Sequence, residues 1–343
     1  MHKLLSRASD AARASSPPGG DALVIEGLRK SFRTRGGTVE AVRGIDLRVA
    51  QGEIFGFLGP NGAGKTTTLR MLTTLLPPDG GRALVAGADI ATRPRDVRRR
   101  IGYVGQQGGA DRPATGRENL VLQGRLYGQS RGEAAARAAE LIDLLELAEF
   151  ADRPALTYSG GQRRRLEVAL GIVHRPQVLF LDEPTTGLDP QNRANLWDRL
   201  RALCATGTTI FLTTHYLEEA DALSDRLAII DHGAIVSEGT PRELKQRLAR
   251  ETVLIKPRPA SRPLEELRRD LAAQRFVDEA RIEGEAIRLA VGDGTEALPA
   301  IVALLQSDGV PVETISLSAP SLDDVFLRQT GRSLRDAGKG ELS

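Results

Sequence analysis

The chain has 343 residues, of which 41% are hydrophobic, so it is long enough to form two folded domains with buried cores. Its 47 basic and 45 acidic residues give a net charge of +2, which argues against a protein that binds nucleic acid through bulk positive charge. The single cysteine, Cys204, excludes an internal disulfide and fits a reducing compartment.

The most informative segment, residues 59–66, reads Gly-Pro-Asn-Gly-Ala-Gly-Lys-Thr and is a complete phosphate-loop motif. It lies between an apolar run over residues 54–58, which predicts a strand, and a helix-like segment over residues 66–76. Glycines let backbone N–H groups face phosphate oxygens, and the helix N-terminus adds partial positive charge. The pattern predicts nucleoside triphosphate binding, with Lys65 at the β and γ phosphates and the Thr66 hydroxyl on Mg²⁺.

Further motifs follow this loop in a fixed order. Residues 158–162 are Tyr-Ser-Gly-Gly-Gln, and a basic, helix-prone segment follows them. Residues 178–184 are Val-Leu-Phe-Leu-Asp-Glu-Pro, which is typical of an apolar strand ending in two carboxylates. Gly-Leu-Asp-Pro at 187–190 and Thr-Thr-His at 213–215 complete the series.

In this order the motifs resemble those of the ATP-binding-cassette (ABC) ATPases, across roughly residues 21–245. Residues 115–120, Thr-Gly-Arg-Glu-Asn-Leu, and residues 321–327, Ser-Leu-Asp-Asp-Val-Phe-Leu, look like the daunorubicin-resistance branch of drug-exporter ATP-binding subunits. The resemblance implies an α/β fold, namely an ABC-type P-loop ATPase core with an antiparallel β subdomain and an inserted helical subdomain.

Two adjacent carboxylates are the main candidates for the chemistry of ATP hydrolysis, which needs a metal, an oriented water and charge relief at the γ phosphate. Asp182 ends an apolar strand, so we expect its carboxylate at the carboxyl edge of the sheet in a water-mediated Mg²⁺ role. Glu183 is the candidate general base for the attacking water. His215 follows a strand predicted at 208–213 and is expected at the same edge, near the γ phosphate or Glu183. The predicted catalytic set consists of Glu183, His215 and Lys65.

The resemblance implies further nucleotide contacts. Phe32 falls where the family places an aromatic that stacks on adenine, although it could instead be a core residue of a hairpin. Gln106 resembles the cassette glutamine that reaches Mg²⁺ or the attacking water and whose loop senses the membrane partner. The implied metal-binding residues are Thr66, Gln106 and Asp182. The implied ATP-binding residues are Phe32, Gly59, Pro60, Asn61, Gly62, Ala63, Gly64, Lys65, Thr66, Thr67, Gln106 and Asp182.

A second phosphate cradle, here called the signature motif, combines a hydroxyl, two glycines and a predicted helix N-terminus. It consists of Ser159, Gly160, Gly161 and Gln162. One chain thus holds two cradles but a single Asp-Glu pair of this kind. In the family, head-to-tail pairing resolves this, because each ATP lies between residues 59–67 of one subunit and the signature motif of the other, with Asp189 bridging the two. The resemblance therefore implies a head-to-tail homodimer.

The chain is expected to fall into four segments. Composition predicts disordered tails at residues 1–20 and 332–343. Residues 21–249 are predicted to form the ABC ATP-binding domain, with the helical subdomain at about 110–170. Residues 250–331 alternate as β-α-β-β-α-β with a final helix at 322–328, which predicts a small α+β, ferredoxin-like C-terminal domain with a regulatory or assembly role.

No apolar run approaches the roughly 18 residues that span a bilayer. For a transporter ATPase, the resemblance therefore implies a separately encoded integral-membrane permease as the partner. The resemblance implies an ATPase with ATP and Mg²⁺ as cofactors, peripheral at the cytoplasmic face of the cell membrane, that powers efflux of a drug-like or antibiotic compound. The alternatives are a soluble ABC ATPase acting on ribosomes or DNA, or an exporter of lipid or polysaccharide. No nucleic-acid partner is expected, and no Asn-Lys-x-Asp sequence typical of GTPases occurs.

Overall fold

The computed structural model describes residues 20–34, 37–248, 250–258 and 262–331. The predicted disordered tails lie outside these residues, apart from Gly20.

The chain divides into two compact units. The first comprises Met1–Gly56, Gly64–Thr213 and His232–Ala234, and the second comprises Phe57–Ala63, Thr214–Asp231 and Ile235–Ser343. The domain boundary expected near residue 250 stays a prediction.

The helices and strands alternate along most of the chain. Up to the phosphate-loop helix they are β1 Asp21–Thr34, β2 Gly37–Ala50, β3 Ile54–Leu58 and α1 Lys65–Leu72. They continue as β4 Gly80–Val85, β5 Ala88–Asp89, α2 Pro94–Arg100, β6 Ile101–Val104, α3 Gly116–Leu126, α4 Arg131–Leu144, α5 Gly160–Ile172, β7 Val178–Asp182, α6 Pro190–Ala205 and β8 Thr209–Thr214. The remaining elements are α7 Leu217–Leu223, β9 Arg226–Asp231, β10 Ala234–Gly239, α8 Pro241–Leu248, β11 Glu251–Pro257, α9 Leu264–Ala272, β12 Val277–Glu283, β13 Ala286–Val291, α10 Gly294–Ser307, β14 Val312–Ser318 and α11 Leu322–Thr330.

In the first unit, β1 and β2 form the predicted antiparallel hairpin within a sheet of order β2-β1-β4-β5. At the turn between them, β1 ends at Thr34 and β2 begins at Gly37. The hairpin exposes its far end, since Phe32 is 39% exposed and its cross-strand partner Val39 is 53% exposed. The core interpretation of Phe32 is therefore wrong, and Lys30 Nζ lies over its ring, 5.8 Å from the centroid.

The parallel strands of the first unit position the two carboxylates. β7 lies between β6 and β8, and Asp182 is paired in register with Thr213. The residues of β7 are buried throughout, as expected for a parallel strand covered on both faces. Because β7 ends at Asp182, Glu183 leaves the sheet at its carboxyl edge, as the sequence predicted.

Three helices form the inserted subdomain, and each starts with a capping box. The N-cap residues Thr115, Ser130 and Ser159 accept hydrogen bonds from the backbone N–H three residues later. This motif satisfies helix N–H groups that have no intrahelical partner, which fixes where each helix begins. The start of α5 at the signature motif is thus encoded locally.

In the second unit, the tail strands form an antiparallel sheet of order β12-β13-β11-β14. That order and the β-α-β-β-α-β succession are those of a ferredoxin-like domain, as predicted. Helices α9 and α10 share a core with this sheet. Its buried members are Val253, Ile255, Leu267, Leu271, Val277, Ile287, Leu289, Val291, Ala297, Ile301, Leu305 and Val310.

The final helix, α11, carries a buried apolar stripe. Leu322, Val325 and Phe326 pack against residues from the end of β3, from α7, from β9 and from α8. These contacts lie within the second unit. On the other side of α11, Asp324 accepts a hydrogen bond of 2.9 Å from Arg288 of β13. The helix therefore joins the tail sheet to segments that precede residue 250.

Phe326→Ala should lower the free energy of unfolding by about 3–5 kcal/mol, because the ring is fully buried and its removal leaves a cavity. Ile282→Ala, at a strand position that is 38% exposed, is the matched control and should cost under about 1 kcal/mol. Urea unfolding followed by circular dichroism measures both. Equal costs for the two substitutions would contradict the packing role of α11.

Candidate nucleotide-binding and hydrolysis site

The phosphate loop begins where β3 ends. The Gly59 N–H donates to the Thr214 carbonyl at 3.2 Å, and a Cβ on Gly59 would lie 2.3 Å from the Ile230 carbonyl oxygen. A larger residue would not fit there. Gly64 has a φ of 105° and starts α1 without a side chain that could cap it. The first N–H groups of α1 are thereby suited to an anion at the helix N-terminus.

Lys65 and Glu183 form a buried ion pair at the start of α1. Their Nζ and Oε1 atoms lie 3.4 Å apart, and the side chains are 4% and 10% exposed. Burial lowers the pKa of Lys65, while the charges of Glu183 and Asp182 oppose that shift. The ammonium is thus held beside carboxylates in a place poor in water.

Asp182 lies at the centre of a hydroxyl network and is 2% exposed. Its Oδ1 accepts hydrogen bonds from Thr213 Oγ1 at 2.6 Å and from Thr66 Oγ1 at 3.2 Å. The structure therefore brings together two of the predicted metal-binding residues. A hydroxyl and a carboxylate oxygen are donors that suit a hard cation such as Mg²⁺, which is commonly bound by one or two carboxylates together with substrate phosphates.

Glu183 adopts an unusual backbone conformation, with a φ of 47° in the left-handed region. Such a conformation costs on the order of 1–3 kcal/mol for a residue with a Cβ and persists where the surroundings fix it. Its N–H donates to both the carbonyl and the hydroxyl of Thr213, each at 3.1 Å. Thr213 therefore orients both carboxylate residues, a role that was not predicted from the sequence although the threonine lies in the adjacent apolar strand β8.

Gln106 follows β6 and lines the same cavity as Asp182. The cavity has a volume of about 480 Å³, and its other polar lining includes Tyr103, Gln123 and Glu167. Gln106 is exposed in the loop, so its side chain is accessible from solvent. The third predicted metal-binding residue thus shares a cavity with the first carboxylate.

Ser159 and Gly160 of the signature motif are exposed at the start of α5, whereas Gly161 is buried. The Ser159 Oγ accepts from the Gln162 N–H at 3.2 Å, and the Gln162 Oε1 accepts from the Ser159 N–H at 3.1 Å. The Ser159 hydroxyl proton is not used by this cap. Tyr158, which precedes the signature motif, is buried, and its hydroxyl donates to the Phe150 carbonyl at 2.6 Å. A Cβ on Gly116 would lie 2.3 Å from the Tyr158 hydroxyl oxygen.

Two other predicted residues lie at element boundaries. Asp189 caps α6, and the hydrogen bond from the Asn192 N–H holds the pKa of its carboxyl below the usual range. His215 belongs to the second unit and precedes α7, and its ring centroid lies 4.1 Å from that of Tyr216.

Comparisons with known proteins agree with this geometry. A family model described as ABC transporter matches residues 42–186, and one for the C-terminal domain of DrrA1-3-like ATP-binding proteins matches residues 239–330. The daunorubicin/doxorubicin resistance ATP-binding protein DrrA of Streptomyces peucetius is 47% identical over 321 residues, which cover 93% of this chain and 96% of the relative. The chain belongs to the ABC transporter family.

Other similar proteins extend the comparison of this ABC protein. The daunorubicin resistance ATP-binding protein DrrA2 of Streptomyces coeruleorubidus is 45% identical over 315 residues, covering 91% of this chain and 96% of the relative. A dimeric ATP-binding cassette solved in a post-hydrolysis state with ADP and Pi is similar with a TM-score of 0.58 and 25% identity, covering 64% of this chain and 98% of that one.

The family assignment, the cassette fold and ATP hydrolysis coupled to transport are thereby confirmed. In the part of the ABC protein that the structure describes, no helix combines the length and apolar character needed to cross a membrane.

Glu183→Gln should keep ATP binding but slow hydrolysis by about 100-fold or more, because an amide is a far weaker proton acceptor for the attacking water. Fluorescent-nucleotide titration and phosphate release measure the two properties on the same preparation. Near-normal hydrolysis by the purified variant would remove Glu183 from the role of base.

Proposed function

We propose that this ABC protein is the ATP-hydrolysing subunit of an exporter of drug-like or antibiotic compounds. It acts at the cytoplasmic face of the cell membrane on a separate integral-membrane permease. The observation that carries the proposal is the Lys65, Asp182 and Glu183 constellation in a chain similar over nearly its whole length to daunorubicin-resistance ATP-binding proteins. The drug-resistance relatives are 43–47% identical and the relatives named for Nod factor export are 39–41% identical, so export of a drug-like compound is preferred to export of lipid or polysaccharide. The alternative of an ATPase acting on ribosomes or DNA has no such relative to support it among these matches.

In the proposed nucleotide site, residues 59–67 wrap the phosphates of ATP and Phe32 stacks on adenine. Thr66, Gln106 and Asp182 would hold Mg²⁺, which neutralises charge between the β and γ phosphates when bound. Lys65 exchanges its ion pair with Glu183 for the γ phosphate, and this exchange leaves the Glu183 carboxylate available for the attacking water. His215 acts on the γ phosphate or on Glu183.

In the proposed dimer, the signature motif of one subunit completes the site of the other. Exposure of Ser159 and Gly160 supports this arrangement, since a cradle for another subunit's nucleotide has to reach the surface. The Ser159 oxygen can accept from the Gln162 N–H while its proton is donated to a phosphate, so helix capping and phosphate binding are compatible.

The proposed docking surface for the permease is formed by α3 beside the Gln106 cavity. Leu122, Leu126 and Tyr127 are 53%, 73% and 45% exposed, and Tyr127 also lines the cavity. Exposed apolar side chains next to a loop that contacts the nucleotide site suit a partner helix that transmits motion. ATP-dependent changes at Gln106 would thereby reach the membrane subunit.

The proposed role of residues 250–331 is regulation or assembly. The link from the tail sheet through Asp324 and α11 to the end of β3 supports it, because this path leads toward the phosphate loop along the chain. Export by Phe326→Ala, at a temperature where the variant is folded, tests the role. If the variant exports and assembles normally, the role of α11 is limited to stabilising the fold.

Mixing Lys65→Ala with Ser159→Arg tests the shared site. Lys65→Ala should weaken ATP binding because it removes the cation at the β and γ phosphates, and Ser159→Arg should block the site of the partner subunit. Mixed dimers keep one composite site free of both substitutions, so part of the ATPase activity should return. The activity is measured across mixing ratios with differently tagged chains. No recovery, with mixed dimers isolated through both tags, would contradict head-to-tail pairing.

Leu126→Glu should reduce recovery of the permease in a pull-down and reduce daunorubicin export, while ATP hydrolysis by the isolated chain stays unchanged. The physical reason is that a charge placed on an apolar docking surface has to be desolvated on binding. Leu75→Glu, at a leucine that is 59% exposed just beyond α1, is the matched control and should leave both properties intact. Equal permease recovery with the two variants would remove α3 from the interface.

A further inference from the structure

Arg164 is a buried arginine on α5 that the sequence analysis treated as part of a basic helical segment. Only 7% of the surface of Arg164 is exposed to solvent. Its guanidinium donates to the carbonyl oxygens of Pro184 at 2.8 Å, of Asp182 at 3.1 Å and of Gly105 at 2.8 Å. A planar, permanently charged group with five donors is well suited to hold several fixed acceptors at once.

Two of these acceptors flank the proposed base. The carbonyls of Asp182 and Pro184 belong to the residues on either side of Glu183, whose φ is 47°. A strained backbone conformation needs surroundings that fix it, and charge-assisted hydrogen bonds to both neighbouring residues supply that restraint. Arg164 thus holds the backbone on both sides of Glu183, and this backbone sets the direction of the Glu183 carboxylate.

The other contacts reach the loop of Gln106. Gly105, whose carbonyl accepts from Arg164, directly precedes Gln106. Glu167, one turn along α5, accepts from Arg164 at 3.0 Å, and both side chains are 8% exposed. A Cβ on Gly108 would lie 1.9 Å from Glu167 Oε1, so the carboxylate lies directly against the backbone of the loop. The buried pair therefore contacts the loop on both sides of Gln106.

We propose that Arg164, oriented by Glu167, is a positioning residue for ATP hydrolysis that fixes the backbone of Glu183 and links it to the Gln106 loop. Movement of the loop would then shift the base through the guanidinium. The adjacent Arg165 has different contacts, with the carbonyl of Glu146 at 3.0 Å and the ring of Phe150 at 5.2 Å. It provides a matched control on the same helix.

The first test compares Arg164→Met, Arg164→Lys and Arg165→Met in the purified full-length chain. Arg164→Met should lower kcat about tenfold or more with little change in the Kd for ATP, because transition-state alignment is lost while the phosphate contacts remain. Arg164→Lys should recover part of kcat, since one ammonium cannot reach all the carbonyls. Arg165→Met should keep kcat. Wild-type kcat in folded Arg164→Met, or an equal kcat loss in Arg165→Met, would overturn the proposal.

The second test asks whether Arg164 acts through Glu183. In a Glu183→Gln background, adding Arg164→Met should lower the residual kcat less than about twofold, because residues that act as a unit are non-additive. A full additional loss, as large as that in the wild-type background, would show that Arg164 acts independently of Glu183. That result would overturn the proposed route.

The third test displaces the Glu167 carboxylate from the loop side. Gly108→Ala should reproduce the fall in kcat, because the new methyl group collides with Glu167 and disturbs Arg164. Gly109→Ala, where an added Cβ meets nothing within 4 Å, is the matched control and should retain activity. Equal kcat values for the two alanine variants would contradict the link to the loop.

Discussion

The hydrogen bond from Thr213 to Asp182 is the interaction on which the rest of the site depends. Burying a carboxylate at the end of an apolar strand is costly unless hydrogen bonds compensate it. The parallel register of β7 and β8 places Thr213 beside Asp182, so its hydroxyl can compensate the carboxylate oxygen at 2.6 Å. The same threonine accepts from the Glu183 N–H and so bends the chain out of the sheet. The register that pairs β7 with β8 therefore also fixes the positions of Asp182 and Glu183 in the site.

Much of this site was predictable because its signals are local. A phosphate loop needs glycines at fixed positions, and an apolar strand ending in Asp182 and Glu183 places them at one edge of a parallel sheet. The start of α5 followed from a serine and a glutamine three residues apart. The β-α-β-β-α-β succession of the tail could be predicted from its alternating apolar residues. The order of β11 to β14 in the sheet is the one that this succession favours.

The features that the sequence did not predict depend on contacts between residues far apart in the chain. Arg164 lies between two other arginines, and composition alone favours a solvated helix face for all three. Its burial arises because α5 brings it to the carbonyls that flank Glu183, a contact between residues 20 positions apart. The elements β10 and α8 were missed because both are short and α8 has only two leucines. The partners of α11 were likewise hidden, since an apolar stripe requires burial but does not specify which surface covers it.

The contact between Gly116 and Tyr158 has a consequence for how this sequence can vary. The tyrosine hydroxyl occupies the space that a side chain at position 116 would need, and it satisfies the Phe150 carbonyl from there. Loss of the hydroxyl would open this space, whereas a methyl group at 116 would exclude the hydroxyl. The two positions should therefore covary among homologues, with tyrosine restricted to chains that keep glycine at 116. A grafting experiment that transfers the signature motif between family members has to transfer position 116 with it.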